Sequence, residues 1–216
     1  QDNEWQYKVS VMKNFERLRE KNGDLSATGV GVMAVFSAIM SSEDLNAVKR
    51  DGFLYKKACG SSLDEHGYAG TTSGGGIPLF GNGYYFTPQS SYALQAARGE
   101  FNSVASAAAQ EQMQKKPVLL MSYVLTGTTY PITRVSDYSD AAQQQQQQQT
   151  KCAFQGANFC GSYDSHFVQV AKSNHAPYHA MKFGETAWAE EVIVTNESQI
   201  LPRFVLHLRQ VKPAKK

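Results

Sequence analysis

The sequence predicts an α+β domain built on antiparallel or mixed sheets, and three observations carry that expectation. Apolar, β-prone stretches recur along the chain, at 30–39, 84–86, 118–125, 191–194 and 204–208. Few helical patterns lie between these strands. No internal repeat is visible, and 216 residues suit one domain of ordinary size.

Taken in order, residues 7–21 begin with an alternating stretch and pass into a helical pattern, with Phe15 and Leu18 set among Arg17, Arg19 and Glu20. Asn22-Gly23-Asp24 stops it as helix ends are usually stopped. Residues 30–39, rich in Val, Phe, Met and Ile, read as a buried strand. Ser41-Ser42-Glu43-Asp44 reads as a helix N-cap with an acidic first turn, and the short helix through Leu45, Val48 and Lys49 ends at Gly52. Residues 58–83 are dominated by Gly, Ser and Thr, including the run at 74–76, and form a long loop of the kind that binds ligands or stays disordered. Residues 84–86 are strand-like, the alanine-rich stretch 91–114 is helical with a break at Arg98-Gly99, and 118–125 is a strand. Seven consecutive glutamines at 143–149 mark a surface loop, since the fold tolerates an insertion there. Strands at 191–194 and 204–208 flank a turn-rich joint at 195–202.

Composition narrows the function classes. The chain is 42% hydrophobic and 19% charged, as a globular protein is, and its 21 basic and 19 acidic residues leave a net charge of +2. That balance gives no support for bulk attraction to nucleic acid or to an anionic membrane. The longest apolar run, residues 30–40, is too short to span a bilayer. The chain opens on Gln1 without the layout of a signal peptide, as an excised piece or a mature product would. Cys59, Cys152 and Cys160 form no Cys-x-x-Cys pair, which argues against a disulfide framework or a zinc site and favours an intracellular protein, nuclear or cytoplasmic. Asn196-Glu197-Ser198 fits the glycosylation pattern, and an exposed turn explains it equally well.

Three stretches carry more chemistry. In Phe80-Gly81-Asn82-Gly83-Tyr84-Tyr85-Phe86 two glycines permit a tight turn with close backbone approach, after which a strand presents aromatic side chains. Glu191 is followed eight positions later by Gln199 and eleven later by Pro202. The third is 44–53, a short helix closed by Gly52-Phe53. In this order and spacing, and with Tyr163-Asp164-Ser165 upstream of the glutamate, the chain resembles the catalytic domain of poly(ADP-ribose) polymerases and their tankyrase-like and mono-transferase relatives.

The resemblance implies the ADP-ribosyltransferase fold over the whole chain, two packed, mostly antiparallel sheets with flanking helices. It also implies NAD as co-substrate. Glu191 is then the catalytic-type carboxylate, bonding a ribose hydroxyl and stabilising the charge that develops as nicotinamide leaves. Tyr85 stacks on the nicotinamide ring, and Gly81 and Gly83 shape the turn beside it. Several other family positions depart from the pattern. Met40-Ser41, or with a small shift Ile39-Met40, stands where the family has His-Gly, and no histidine occurs before His66. His66 lies where tankyrases carry a histidine in the loop covering the donor site. Ala93 and Ala96 replace the serine and second tyrosine expected eight and eleven positions after Tyr85, with Tyr92 adjacent to the first. Each lost hydrogen bond costs about 1–3 kcal/mol. Two function classes follow: a pseudoenzyme that keeps the fold as a binding module for a protein partner, and an active mono-ADP-ribosyltransferase that modifies a protein acceptor with Tyr85 and Glu191.

Overall fold

The computed structural model describes residues 2–21, 31–39, 42–55, 80–97, 118–133, 162–171 and 179–208. The glutamine tract, the loop before Phe80 with His66 and residues 74–76, Met40, Ser41 and residues 98–117 lie outside them.

Helix α1 (Asp2–Lys21) leads the chain. The alternating start expected from residue 7 onward is helical instead. The reason is tertiary: Tyr7, Val11 and Phe15, spaced by four, form one buried stripe. The Tyr7 hydroxyl donates to the Met181 carbonyl, and the Phe15 ring lies 4.9 Å from that of Phe167. Strand β1 (Val32–Ile39) follows, with Met33, Val35, Ser37 and Ile39 buried in strict alternation. Helix α2 (Ser42–Asp51) stops before Gly52, and a 3-10 turn (Gly52–Tyr55) then buries Phe53. Strand β2 (Tyr84–Phe86) leads into helix α3 (Ser90–Ala97). Strands β3 (Val118–Leu125), β4 (Thr129–Ile132), β5 (Ser165–Ala171), β6 (His179–Ala180), β7 (Ala189–Val194) and β8 (Ile200–Leu206) complete the described elements.

Two sheets result. One has the order β1-β3-β8; the other runs β2-β7-β5-β4, with β6 pairing beside β5. Every pairing is antiparallel except β4 with β5. Residues Phe36 and Thr87 exchange backbone hydrogen bonds of 2.7 and 3.1 Å, tying the first sheet to the chain leaving β2. The protein is thus an α+β structure with two mostly antiparallel sheets, the coarse class its sequence predicts. The main core joins α1, α2 and both sheets through Phe15, Met33, Val35, Leu45, Val48, Leu120, Phe167 and Val192. A second cluster, with Phe80, Tyr85, Tyr92, Ile132, Val168 and Ile193, lies on the other side of the second sheet.

Strand β5 was not foreseen, although it is flanked by β7 and β4 inside the second sheet. Its neighbours bury six of its seven residues, so it shows no clean apolar–polar alternation to read. Strand β8 starts four residues earlier than expected because residues 197–199 close a tight 3-10 turn. Among the described residues no helix is long and apolar enough to cross a membrane.

Replacing Phe15 by Ala should remove the main contact between α1 and β5. A loss of about 3–5 kcal/mol is expected, measured by urea unfolding; a change below about 1 kcal/mol would show α1 to be an appendage.

Candidate functional site

Strand β7 has no exposed residue, yet it carries two adjacent carboxylates. Alternation sends them to opposite faces of the sheet. Glu190 faces the side of Val192 and Val194, where Gln89 both donates to its carboxylate and accepts from its backbone N–H at 3.0 Å. The Asn14 amide of α1 reaches the other carboxylate oxygen at 3.5 Å. Glu190 therefore secures α1 and the start of α3 to the sheet.

Glu191 faces the second cluster, directly opposite Val168 on β5, and is 1% exposed. The Tyr92 hydroxyl of α3 donates to its carboxylate at 2.5 Å. The Tyr92 ring meets the half-buried Trp188 edge-on, with centroids 5.2 Å apart. A carboxyl group held this deep needs hydrogen-bond partners of this kind.

Tyr85 pairs with Ile193, two residues beyond Glu191, so the two expected catalytic positions share one face of the sheet. The Tyr85 hydroxyl is committed elsewhere. It accepts from the Phe80 N–H at 3.0 Å and donates to the Gly81 carbonyl at 2.9 Å, closing the glycine turn on its own strand. His166 of β5 grips the same turn, with Nδ1 2.7 Å from the Phe80 carbonyl. A carbonyl can only accept, so Nδ1 carries the proton and Nε2 is the acceptor side of the neutral ring. Burial drives the His166 pKa down to about 4, against the raising effect of that hydrogen bond.

The glycines have distinct reasons. Gly81 sits at φ 110°, a backbone region open essentially to glycine. At Gly83 a β-carbon would lie 2.6 Å from the Val194 carbonyl oxygen, because the turn runs hard against β7. The rest of the matched pattern is also built into the framework. Gln199 donates to the carbonyls of Leu125 (2.9 Å) and Asp164 (3.1 Å) and accepts from the Asn196 N–H (3.0 Å). The Asp164 carboxylate accepts from the Thr128 N–H at 2.8 Å. Asn196 caps the 3-10 turn with its own side chain, which is the turn reading of its triplet.

The structure thus brings Tyr85, Tyr92, Glu191, Gly81 and Gly83 to one side of one sheet. Ala93 is buried beside Tyr92 on α3, while Met40, Ser41 and His66 fall outside the described residues. Sequence reasoning missed His166, Gln89 and Trp188. Their roles come from cross-sheet pairing, and nothing in their local sequence announces it. Among the described residues no cluster of His, Cys, Asp and Glu is placed to hold a metal. No model of a known protein family matches the chain, and no curated protein resembles it significantly.

Two outcomes are expected of this site. Above pH about 6.5 His166 is neutral folded and unfolded, so stability is fully present there. As pH falls from about 6.5 toward about 4 the unfolded chain takes up a proton that the folded one refuses. His166 then costs up to about 1.4 kcal/mol per pH unit. Urea unfolding at pH 7, 6 and 5 should show that extra slope in the wild type and not in His166→Asn; equal slopes would refute it. Gly83→Ala should cost about 1–3 kcal/mol by forcing the turn off β7, which thermal unfolding would read as a lowered midpoint.

Proposed function

We propose that this chain is a divergent ADP-ribosyltransferase-type domain of the poly(ADP-ribose) polymerase-like kind, with weak or lost NAD binding, that serves as a protein-interaction module. One observation carries the reading: Tyr92 sits on the Glu191 carboxylate. The Tyr92 hydroxyl already takes one oxygen of this carboxylate, so a ribose hydroxyl would share or replace that hydrogen bond. To replace it, Tyr92 would have to leave both Glu191 and the Trp188 edge. Ala93 offers no hydroxyl to a carboxamide. These features support weak or lost NAD binding.

A second reading, an active mono-ADP-ribosyltransferase, is favoured by the shared face of Tyr85 and Glu191. The two readings divide on NAD itself. At 1 mM NAD, a dissociation constant above 1 mM stabilises the domain by less than about 0.4 kcal/mol, a melting shift under about 2 °C. That is the result expected of the wild type. Tyr92→Ala combined with Ala93→Ser, Met40→His and Ser41→Gly should give a larger shift than any one of the four, since residues sharing a ligand are not additive. Micromolar NAD binding by the wild type, with modification of a protein that Glu191→Gln abolishes, would replace the first reading with the second.

A further inference from the structure

Strand β2 pairs with β7 only from Tyr84 to Phe86, opposite Val194 to Val192, so it offers no partner residue to Glu191 or Glu190. The Gln89 side chain takes over at Glu190. Its oxygen accepts from the Glu190 N–H at 3.0 Å, and its amide nitrogen donates to the Glu190 carboxylate. A primary amide carries a donor and an acceptor side by side, so one fork satisfies a backbone group and a side-chain group of the same residue.

The fork is itself held in place. Thr87, whose backbone exchanges hydrogen bonds with Phe36, donates its hydroxyl to the same Gln89 oxygen at 3.2 Å and accepts from the Gln89 N–H at 3.1 Å. Gln89 is also the root of α3. Its carbonyl accepts from the Ala93 N–H at 3.1 Å, which closes the first helical turn with Tyr92 inside it. A turn closed by that bond moves as one piece, so a displacement at Gln89 is carried to Tyr92. Tyr92 in turn donates to Glu191, which faces the other side of β7 from Glu190. One turn of helix thus straddles the strand, with Gln89 on the first carboxylate and Tyr92 on the second.

We propose that Gln89 is the positioning residue of the Glu191 site: by clamping Glu190 on one face of β7, it seats Tyr92 on Glu191 on the other and keeps that carboxylate covered. Gln89 acts through Tyr92. With the fork broken, the first turn of α3 shifts from β7, the Tyr92 ring leaves the Trp188 edge, and Glu191 opens. The proposal deepens the reading above, on which its bearing on NAD rests. The seating of Tyr92 is a property of the free protein, so its test uses no NAD.

The chain has two tryptophans, so Trp5→Phe leaves Trp188, the ring against Tyr92, as the sole indole. In that background acrylamide quenching of the fluorescence reads the Tyr92–Trp188 contact, and Tyr92→Ala supplies the open value. Gln89→Glu sets a second carboxylate against that of Glu190, and the repulsion drives the turn away. It should raise the quenching constant about twofold or more. Carbodiimide labelling with peptide mapping should then show Glu191 modified faster than in the parent. Gln89→Glu combined with Glu190→Gln puts an amide opposite a carboxylate again and should return both readings to those of the parent. Where Gln89→Glu does not fold, Gln89→Met, which removes the fork without adding charge, should give the same rise. A lowered melting midpoint with Trp188 quenching and Glu191 labelling unchanged in the folded protein overturns the proposal, since that is the signature of a purely structural role. So does a folded exchange variant whose Trp188 stays open. The two readings fail separately: micromolar NAD binding by the wild type ends the weak-binding reading, and an unchanged Trp188 ends this one.

Discussion

Two adjacent glutamates in the middle of a fully buried strand impose the constraint on which the second sheet depends. A carboxylate out of water is tolerable only with hydrogen-bond donors aimed at it. Because β7 alternates, Glu190 and Glu191 need donors on opposite faces of the sheet. Gln89 and Tyr92, three residues apart at the start of α3, answer on the two sides. The placement of α3 is thereby fixed, with Asn14 adding the register of α1. The three elements are thereby coupled through two side chains of a single strand.

The glycine turn before β2 is a second unit of the same kind. Its backbone is closed by the Tyr85 hydroxyl and by His166, a neutral histidine that donates from Nδ1. Gly83 lets the turn approach the Val194 carbonyl more closely than any side chain would permit. A pattern that resembles a ligand-binding motif is therefore also the pattern this backbone needs to fold. The same residues satisfy both demands, and this is why the motif alone says little about what is bound.

Strand β8 contrasts with this closure, since among the described residues no strand pairs with its outer edge. A bulge at Arg203 turns three apolar side chains, Leu201, Phe204 and Leu206, to one outer face, and Pro202 limits how far a strand can pair there.

The sequence by itself determined the α+β class, strand β3 to the residue, and the main extents of β1, α2, β2 and β7. These depend on local periodicity, on caps and on spacing within one segment, which the chain displays directly. It misjudged the start of α1, whose helical stripe is defined by what Tyr7, Val11 and Phe15 pack against. It left out β5, whose burial comes from neighbours on both edges and both faces. Only the tertiary structure decided that Tyr92 occupies the carboxylate, that the Tyr85 hydroxyl is spent on its own turn, and that His166 lies beneath it. The Tyr92 and His166 bonds join residues 99 and 86 positions apart, and a hydrogen bond across such distances leaves no trace in the pattern of either segment alone.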